Sequence, residues 1–177
     1  MLSKNKPDKI YLHHFDWTED FVRNNIDIIE RNYAKYPTRN RWDTNCHVVH
    51  DDDDDDVEMI DFSFLRKEYE NLAEKVSQDA EFQRWCLGDI WYNFYKTGQG
   101  QEEHDHDGNG GFSMVHYLIF NPEVHLSTNF VRPEVPAPDL VQGDVLIFPA
   151  RWIHSVPDNE SNERRLTVAC TLTRMNI

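Results

Sequence analysis

Cysteine is scarce in this sequence, and the cysteines that are present are far apart. Cys46, Cys86 and Cys170 form no CxxC pair, so they make neither a disulfide framework nor a cysteine-based metal site. We expect all three to be buried or partly buried free thiols.

Positive charge and long apolar runs are also lacking. The chain has 18 Lys and Arg against 32 Asp and Glu, a formal net charge of −14. This balance disfavours binding to bulk nucleic acid through its phosphates and docking on an anionic membrane. No apolar run approaches the roughly 20 residues of a membrane span, and the first residues lack the apolar core of a signal peptide. We therefore expect a cytoplasmic protein. The six adjacent aspartates at 51–56 repel one another and are expected on a solvated loop.

The apolar and aromatic content is sufficient for one ordered domain. The 177 residues are 39% hydrophobic and 12% aromatic, which suits a single domain with a sizeable core. Residues 1–84 are expected to be largely helical after a short strand over 10–15. Helical spacing of apolar residues predicts one helix capped by Asp16 or Thr18 and a second over 62–79.

After residue 84 the pattern changes to short strands. They are aromatic or β-branched and are separated by Gly, Pro and Asn; the predicted segments are 85–95, 112–120, 126–132, 144–149 and 165–173. Strands of this length and density indicate a mainly β jelly roll, the double-stranded β-helix of cupins, with flanking helices. Because no linker divides the chain, we expect one domain over 1–177 with its jelly-roll core over 85–177.

Nine histidines are the main supply of metal ligands. His104 and His106 are two residues apart, and in an extended strand such residues point to the same face, close enough to share one ion. His154, which follows a predicted turn and strand, is the best candidate for a third ligand. Three histidines on one side of a metal leave other positions open for substrates, as an oxygenase iron requires. Imidazole also suits zinc, copper and nickel, so ligand type alone does not select the metal.

Other interpretations of this stretch are open. Because acidic residues surround the HxH pair, it could belong to a surface strand with solvated histidines. The string HDHD also offers a second register, in which irregular backbone after His106 turns Asp107 toward the metal as a carboxylate ligand. Regular alternation instead favours His104 and His106 inward, with Asp105 and Asp107 outward.

The order of motifs in the β half resembles the 2-oxoglutarate and iron(II)-dependent oxygenases. The order is an aromatic strand, HxH, Ser-x-x-x-Tyr-Leu, F-x-P, GD-x-x-x-FP, a histidine and then Arg-x-Thr. It is most similar to the prolyl-4-hydroxylase-like branch, including small oxygenases of bacteriophage and bacterial genomes. If a bacteriophage encodes the chain, the expected compartment is the host cytoplasm. The resemblance covers residues 85–173, and GDVLIFPARWIHSV, which contains His154, is its most specific part.

This resemblance implies a 2-oxoglutarate site beside the metal. In the family, a basic residue after the last histidine pairs with the far carboxylate of 2-oxoglutarate, and Arg165 occupies that place. Arg165 and Thr167 match the Arg-x-Ser/Thr pattern, and a guanidinium binds a carboxylate through two hydrogen bonds while it stays charged. Tyr117 and Tyr95 resemble tyrosines that line the same pocket; ordinary core packing is the alternative for both.

The chain departs from the family in its predicted ligands. The usual triad is His-x-Asp/Glu with a distant histidine, whereas here the second ligand is predicted to be a histidine. Three neutral ligands would leave the full double charge on the iron. The reduction potential of the iron should therefore differ from that of the usual site.

The implied activity is that of a non-haem iron(II) and 2-oxoglutarate-dependent dioxygenase. Such an enzyme uses O2 to decarboxylate 2-oxoglutarate to succinate and hydroxylates a substrate, with the iron carrying the difficult chemistry. The family acts on prolines, other side chains, nucleobases and small metabolites, so a peptidyl prolyl or another side chain is one candidate substrate. Two alternatives remain: a cupin-like metal-dependent enzyme that does not use 2-oxoglutarate, and a non-catalytic metal-binding β-domain.

Overall fold

The computed structural model describes residues 9–37, 44–53, 56–79, 85–106 and 111–174. These ranges contain two helices and nine strands, in the order β1 (Tyr11–His14), α1 (Thr18–Lys35), β2 (His47–His50), α2 (Phe62–Asp79), β3 (Trp85–Tyr95), β4 (Gln101–His104), β5 (Phe112–Ile119), β6 (Asn129–Arg132), β7 (Asp144–Pro149), β8 (Ile153–Val156) and β9 (Arg165–Arg174). A six-stranded sheet has the order β1-β7-β5-β9-β3-β2, and a three-stranded sheet has the order β4-β8-β6. Both sheets are antiparallel.

The two faces of strand β9 contact different parts of the molecule, the hydrophobic core and a cavity. Successive side chains of a strand point to opposite faces. Leu166 and Val168 belong to the main hydrophobic core, to which α1 and α2 also contribute. Arg165 and Thr167 have the opposite parity and line a cavity on the other face. Arg165 is directly opposite Tyr95 of β3, so the neighbouring strand presents a predicted site residue to the same face.

The helix predicted over 62–79 is confirmed as α2, but the predicted cap of the first helix is wrong. α1 has Trp17 at its N-cap position and no side-chain capping hydrogen bond. The hydroxyl of Thr18 instead donates to the carbonyl of Phe15 at 2.8 Å and contacts the ring of His116 at 2.9 Å. The Thr18 hydroxyl therefore contacts Phe15 and the distant His116 instead of capping the helix.

The N-terminal part also completes the large sheet. β1, which confirms the short strand predicted over 10–15, pairs with β7 at one edge, and β2 pairs with β3 at the other. β2 was not predicted, because four residues in a polar surrounding give too short a pattern. Neither helix in the described ranges is both long and apolar enough to span a membrane.

Two smaller expectations need correction. Cys46 and Cys170 are buried free thiols, as expected, but the thiol of Cys86 lies in an exposed residue. The start of the aspartate run is structured rather than simply solvated: Asp51 forms an ion pair with Arg66, and a carboxylate oxygen of Asp53 accepts a hydrogen bond from a backbone amide at 2.8 Å. Residues 54 and 55 lie outside the described residues.

A buried polar network joins both helices to the large sheet. His116 of β5 is fully buried, and its ring nitrogens contact the hydroxyls of Thr18 and Tyr69 at 2.9 and 2.8 Å. Burial lowers the pKa of His116 to about 3, and repulsion from His14 and His13 adds to the effect. The ring is therefore neutral at pH 7 and faces the helices rather than the cavity.

We expect His116 to make the protein less stable as the pH falls from 7 toward 4. Its pKa is about 3 in the folded state, well below the ordinary histidine value of 6.5 that applies to the unfolded chain, so in this window the unfolded state binds more protons. The free energy of unfolding should then fall by up to about 1.4 kcal/mol per pH unit from this group. Urea unfolding at several pH values should give a shallower dependence for His116→Gln, which does not titrate. An equal change of unfolding free energy with pH in the variant and the wild type would contradict this role of His116.

Candidate metal centre

The pairing of β4 with β8, together with the segment that follows β4, brings the three predicted histidines close to one another. His104 is directly opposite His154, and their ring centroids are 4.3 Å apart. The ring of His106 lies 5.1 Å from that of His104 and 5.4 Å from that of His154. One ligand nitrogen from each ring lies within 4.8 Å of the others. Nitrogen ligands bind a metal at about 2.0–2.1 Å, so small ring rotations would bring all three onto one ion.

Backbone carbonyls fix the tautomers of two of these rings. Nδ1 of His104 contacts the carbonyl oxygen of Glu102 at 2.7 Å, and Nδ1 of His154 contacts that of Trp152 at 2.9 Å. A carbonyl oxygen can only accept, so Nδ1 carries the proton in each ring and donates it. The lone pair of Nε2 is thereby left for a metal, which is the usual arrangement of a metal-binding histidine.

Burial also keeps the imidazoles of His106 and His154 in the form that binds metal. Desolvation, followed by repulsion from His104, lowers the pKa of His154 to about 3. The same two causes lower the pKa of His106 to about 4, with Asp105 acting in the opposite direction. A metal binds the neutral imidazole. These two rings therefore need to lose no proton at neutral pH.

The position of His106 in the cluster does not follow from strand alternation, which the sequence pattern suggested. β4 ends at His104, so His106 lies beyond regular strand alternation. Its backbone amide donates to the carbonyl of Ala150 at 2.8 Å, which ties this segment to the loop that leads to β8. Asp105 is exposed, as expected. Asp107, the alternative carboxylate ligand, lies outside the described residues, and the choice between it and His106 stays a prediction.

The histidines form one wall of a cavity that the large sheet lines on its other side. All four residues predicted to bind 2-oxoglutarate line this cavity: Arg165, Thr167, Tyr117 and Tyr95. The described lining residues include no Asp or Glu. Beyond the histidines and these four, the polar side chains that line it are Asn93, Gln101, Ser113 and Thr128.

Arg165 is a buried cation at this cavity. Its side chain is only 1% exposed, its Nη atoms donate to the carbonyls of Leu126 and Pro157 at 2.9 and 2.8 Å, and its guanidinium lies 4.3 Å from the ring centre of Tyr95. Its Nε has no hydrogen-bond partner among the described residues. Burial lowers the pKa of Arg165, but a guanidinium stays charged in proteins. A buried charge without a counter-ion is costly, so this side chain indicates an anionic ligand.

The hydroxyls of the other predicted residues are held in place by polar neighbours. Tyr117 and Thr128 contact through their side-chain oxygens at 2.8 Å, and the amide of Thr128 donates to the same phenol oxygen at 3.2 Å. Thr167 is directly opposite Tyr117 in the β5–β9 pairing. Burial raises the pKa of Tyr117 and keeps its phenol protonated.

Two amide side chains that the sequence did not reveal link strand β4 to the residues predicted to bind the cosubstrate. Gln101 of β4 accepts a hydrogen bond from the phenol of Tyr95 at 3.1 Å and donates to Asn93 at 3.2 Å. Asn93 in turn donates to the hydroxyl of Thr167 at 3.3 Å. The only sequence signal for Asn93 is its position two residues before Tyr95, on the same face of the strand.

Ser113 lines the cavity with a buried hydroxyl that has no hydrogen-bond partner among the described residues. An unsatisfied buried hydroxyl is destabilising, so Ser113→Ala is expected to raise the free energy of unfolding by about 1 kcal/mol. Ser77→Ala is the matched control, because that hydroxyl donates at 2.9 Å and accepts at 3.0 Å and its loss should destabilise. Urea unfolding of both variants checks the opposite signs. A loss of stability in Ser113→Ala equal to that in the control would contradict the expectation.

Comparison with known proteins identifies the fold. No protein-family model matches the chain, and no curated protein matches it by sequence. A prolyl-4-hydroxylase from Pseudomonas putida matches with a TM-score of 0.66 at 16% identity, over 94% of this chain and 93% of that one. AviO1 from Streptomyces viridochromogenes Tue57 matches with a TM-score of 0.70 at 14% identity, over 95% and 90%. The viral collagen prolyl hydroxylase vCPH of Paramecium Bursaria Chlorella virus-1, solved with 2-oxoglutarate, matches with a TM-score of 0.58 at 12% identity, over 92% and 95%.

These likenesses cover nearly the whole of each chain, and at such low identities what they share is the fold. The chain therefore has the jelly-roll fold of the prolyl-4-hydroxylase-like 2-oxoglutarate and iron(II)-dependent oxygenases. The mainly β fold class with flanking helices that was predicted from the sequence is confirmed.

Proposed function

We propose that this chain is a non-haem iron(II) and 2-oxoglutarate-dependent dioxygenase. The observation that carries the proposal is the presence, in one cavity, of three clustered histidines and a buried arginine without a counter-ion among the described residues. A metal-binding domain without a cosubstrate would have no use for that arginine. The oxygenase fold of the structural relatives supports the same assignment.

The histidines would hold the metal, and the chain's other residues would bind and orient 2-oxoglutarate. His104, His106 and His154 offer three neutral donors and leave other coordination positions open. When bound, iron would supply the oxidative decarboxylation of 2-oxoglutarate to succinate and carbon dioxide, coupled to hydroxylation of a substrate. The chain would contribute positioning and a shielded cavity.

Arg165 is suited to the far carboxylate of 2-oxoglutarate. It uses two of its donors on the carbonyls of Leu126 and Pro157, and a guanidinium has five N–H donors. The remaining donors, including Nε, can form the paired hydrogen bonds that a carboxylate accepts. The hydroxyl of Thr167, two residues along the same strand face, is a further donor for this group.

The candidate substrate class comes from the structural relatives. Two of the structural relatives are prolyl hydroxylases, one of them a collagen prolyl hydroxylase. They support a peptidyl prolyl, or another side chain, as the candidate for hydroxylation.

Succinate formation without added substrate is the direct test of this function. Purified protein with iron(II), 2-oxoglutarate and O2 should form succinate and consume oxygen, and a chelator should stop both. His14→Ala, a change at a half-exposed histidine paired with Asp144, is the control and should retain the activity. Metal binding without oxygen consumption would favour the non-catalytic β-domain. Metal-dependent oxygen consumption without succinate formation would favour the cupin-like enzyme.

A further inference from the structure

The cavity contains positive charge and, among its described lining residues, no negative charge. Arg165 is the one permanently charged side chain among the described lining residues, which include no Lys, Asp or Glu. A divalent metal on the histidines would add two further positive charges to the same enclosed space. In the usual triad of the fold, a carboxylate ligand would offset part of the metal's charge.

The acidic side chains described beside the histidines and Arg165 do not offset this positive charge. Glu102, Glu103 and Asp105 belong to the segment that carries two of the histidines, but all three are exposed. Asp158, whose charge acts on Arg165, is exposed as well. Water and salt screen exposed charges, whereas the guanidinium of Arg165 is almost fully buried. The attraction of these acids for a bound metal is therefore weak compared with the repulsion across the cavity.

We propose that the cavity is matched to a divalent metal together with a dicarboxylate dianion, and that it holds the metal weakly when the dianion is absent. One carboxylate of the dianion would compensate the metal, and the other would compensate Arg165. The inference rests on the proposed function, in which 2-oxoglutarate is that dianion. Metal retention then depends on cosubstrate, in contrast to a site with a built-in carboxylate.

This proposal makes metal and dianion binding strongly and reciprocally coupled. By linkage, 2-oxoglutarate must tighten metal binding by the same factor by which the metal tightens 2-oxoglutarate binding. We expect a factor of about 100, near the upper part of the range for coupled sites. 2-Oxobutyrate has the same keto-acid group with a single charge, so it should produce a much smaller effect.

The test measures the affinity of manganese(II), which resists oxidation in air, from the electron paramagnetic resonance signal of the free ion. Each protein is titrated alone, with 2-oxoglutarate and with 2-oxobutyrate. Arg165→Gln removes the buried charge and should bind manganese alone severalfold more tightly than wild type. Arg165→Lys keeps the charge and should not. Arg164→Gln is the matched control: Arg164 is half-exposed and paired with Glu30, and its loss should change nothing.

Two further variants test the ligands themselves. His106→Asp places a carboxylate in the cluster, so it should tighten manganese binding alone by about tenfold or more and reduce the effect of 2-oxoglutarate. If circular dichroism shows that Arg165→Gln does not fold, His106→Asp still tests the proposal. Asp107→Asn should leave manganese binding unchanged, because the proposal includes no carboxylate ligand.

Different results would overturn the inference and the proposed function. Unchanged or weaker manganese binding in folded Arg165→Gln, or weaker binding in Asp107→Asn, would overturn the charge-balance inference while leaving the oxygenase proposal in place. Failure of wild type to bind 2-oxoglutarate even with saturating manganese would overturn the proposed function itself.

Discussion

Replacement of His154 by alanine is expected to abolish metal binding and, with it, succinate formation. His154 is the most buried of the three histidines, and the Trp152 carbonyl already orients its ring. Loss of an outer hydrogen-bond partner typically costs 10–100-fold in metal affinity, so loss of a ligand should exceed about 100-fold. Titration with manganese(II) and a succinate assay with iron(II) measure the two effects.

Two comparisons make this prediction specific to the cluster. His104→Ala should behave like His154→Ala, because its ring is oriented by a carbonyl in the same way. His14→Ala should retain wild-type metal binding and succinate formation. Metal affinity in His154→Ala within a few-fold of wild type would contradict the proposed ligands.

Replacement of Arg165 by glutamine is expected to raise the Michaelis constant for 2-oxoglutarate by about 30-fold or more. Removal of one partner from a buried hydrogen-bonded charge pair costs about 2–5 kcal/mol. This guanidinium is buried, and its Nε has no hydrogen-bond partner in the part of the chain that the structure describes. Metal binding should survive, so the loss should lie in cosubstrate affinity. Succinate formation at increasing 2-oxoglutarate concentrations, with metal saturating, gives the constant.

The matched variants separate charge from hydrogen-bond geometry. Arg165→Lys keeps the charge but loses the planar fork that binds a carboxylate through two parallel hydrogen bonds, so its constant should fall between those of wild type and Arg165→Gln. Arg164→Gln should resemble wild type. An unchanged Michaelis constant for 2-oxoglutarate in Arg165→Gln would show that its far carboxylate does not bind to Arg165.

The β half of the fold could be predicted because its strands carry a strong local signal. The segments expected over 85–95 and 144–149 are observed with the same bounds as β3 and β7. Alternation also predicted that Arg165 and Thr167 share one face of a strand, and both line the cavity, as does Tyr95, which the family resemblance had suggested. Such patterns depend only on neighbours in sequence and can be read from the chain alone.

The features that could not be predicted depend on contacts between distant residues. Gln101 and Asn93 link the two sheets through hydrogen bonds, and apart from the spacing of Asn93 from Tyr95 nothing in their local sequence indicates this link. The carbonyls that hold Arg165 come from loops around Leu126 and Pro157. His106 lies beside the other two histidines, but a hydrogen bond to the loop before β8 accounts for its position better than strand alternation does.

A crystal structure with manganese(II) and 2-oxoglutarate tests the central claim most directly. The account predicts one metal bound by His104, His106 and His154, with the far carboxylate of 2-oxoglutarate on the guanidinium of Arg165. A metal away from both His104 and His154, or a far carboxylate without contact to Arg165, would contradict it.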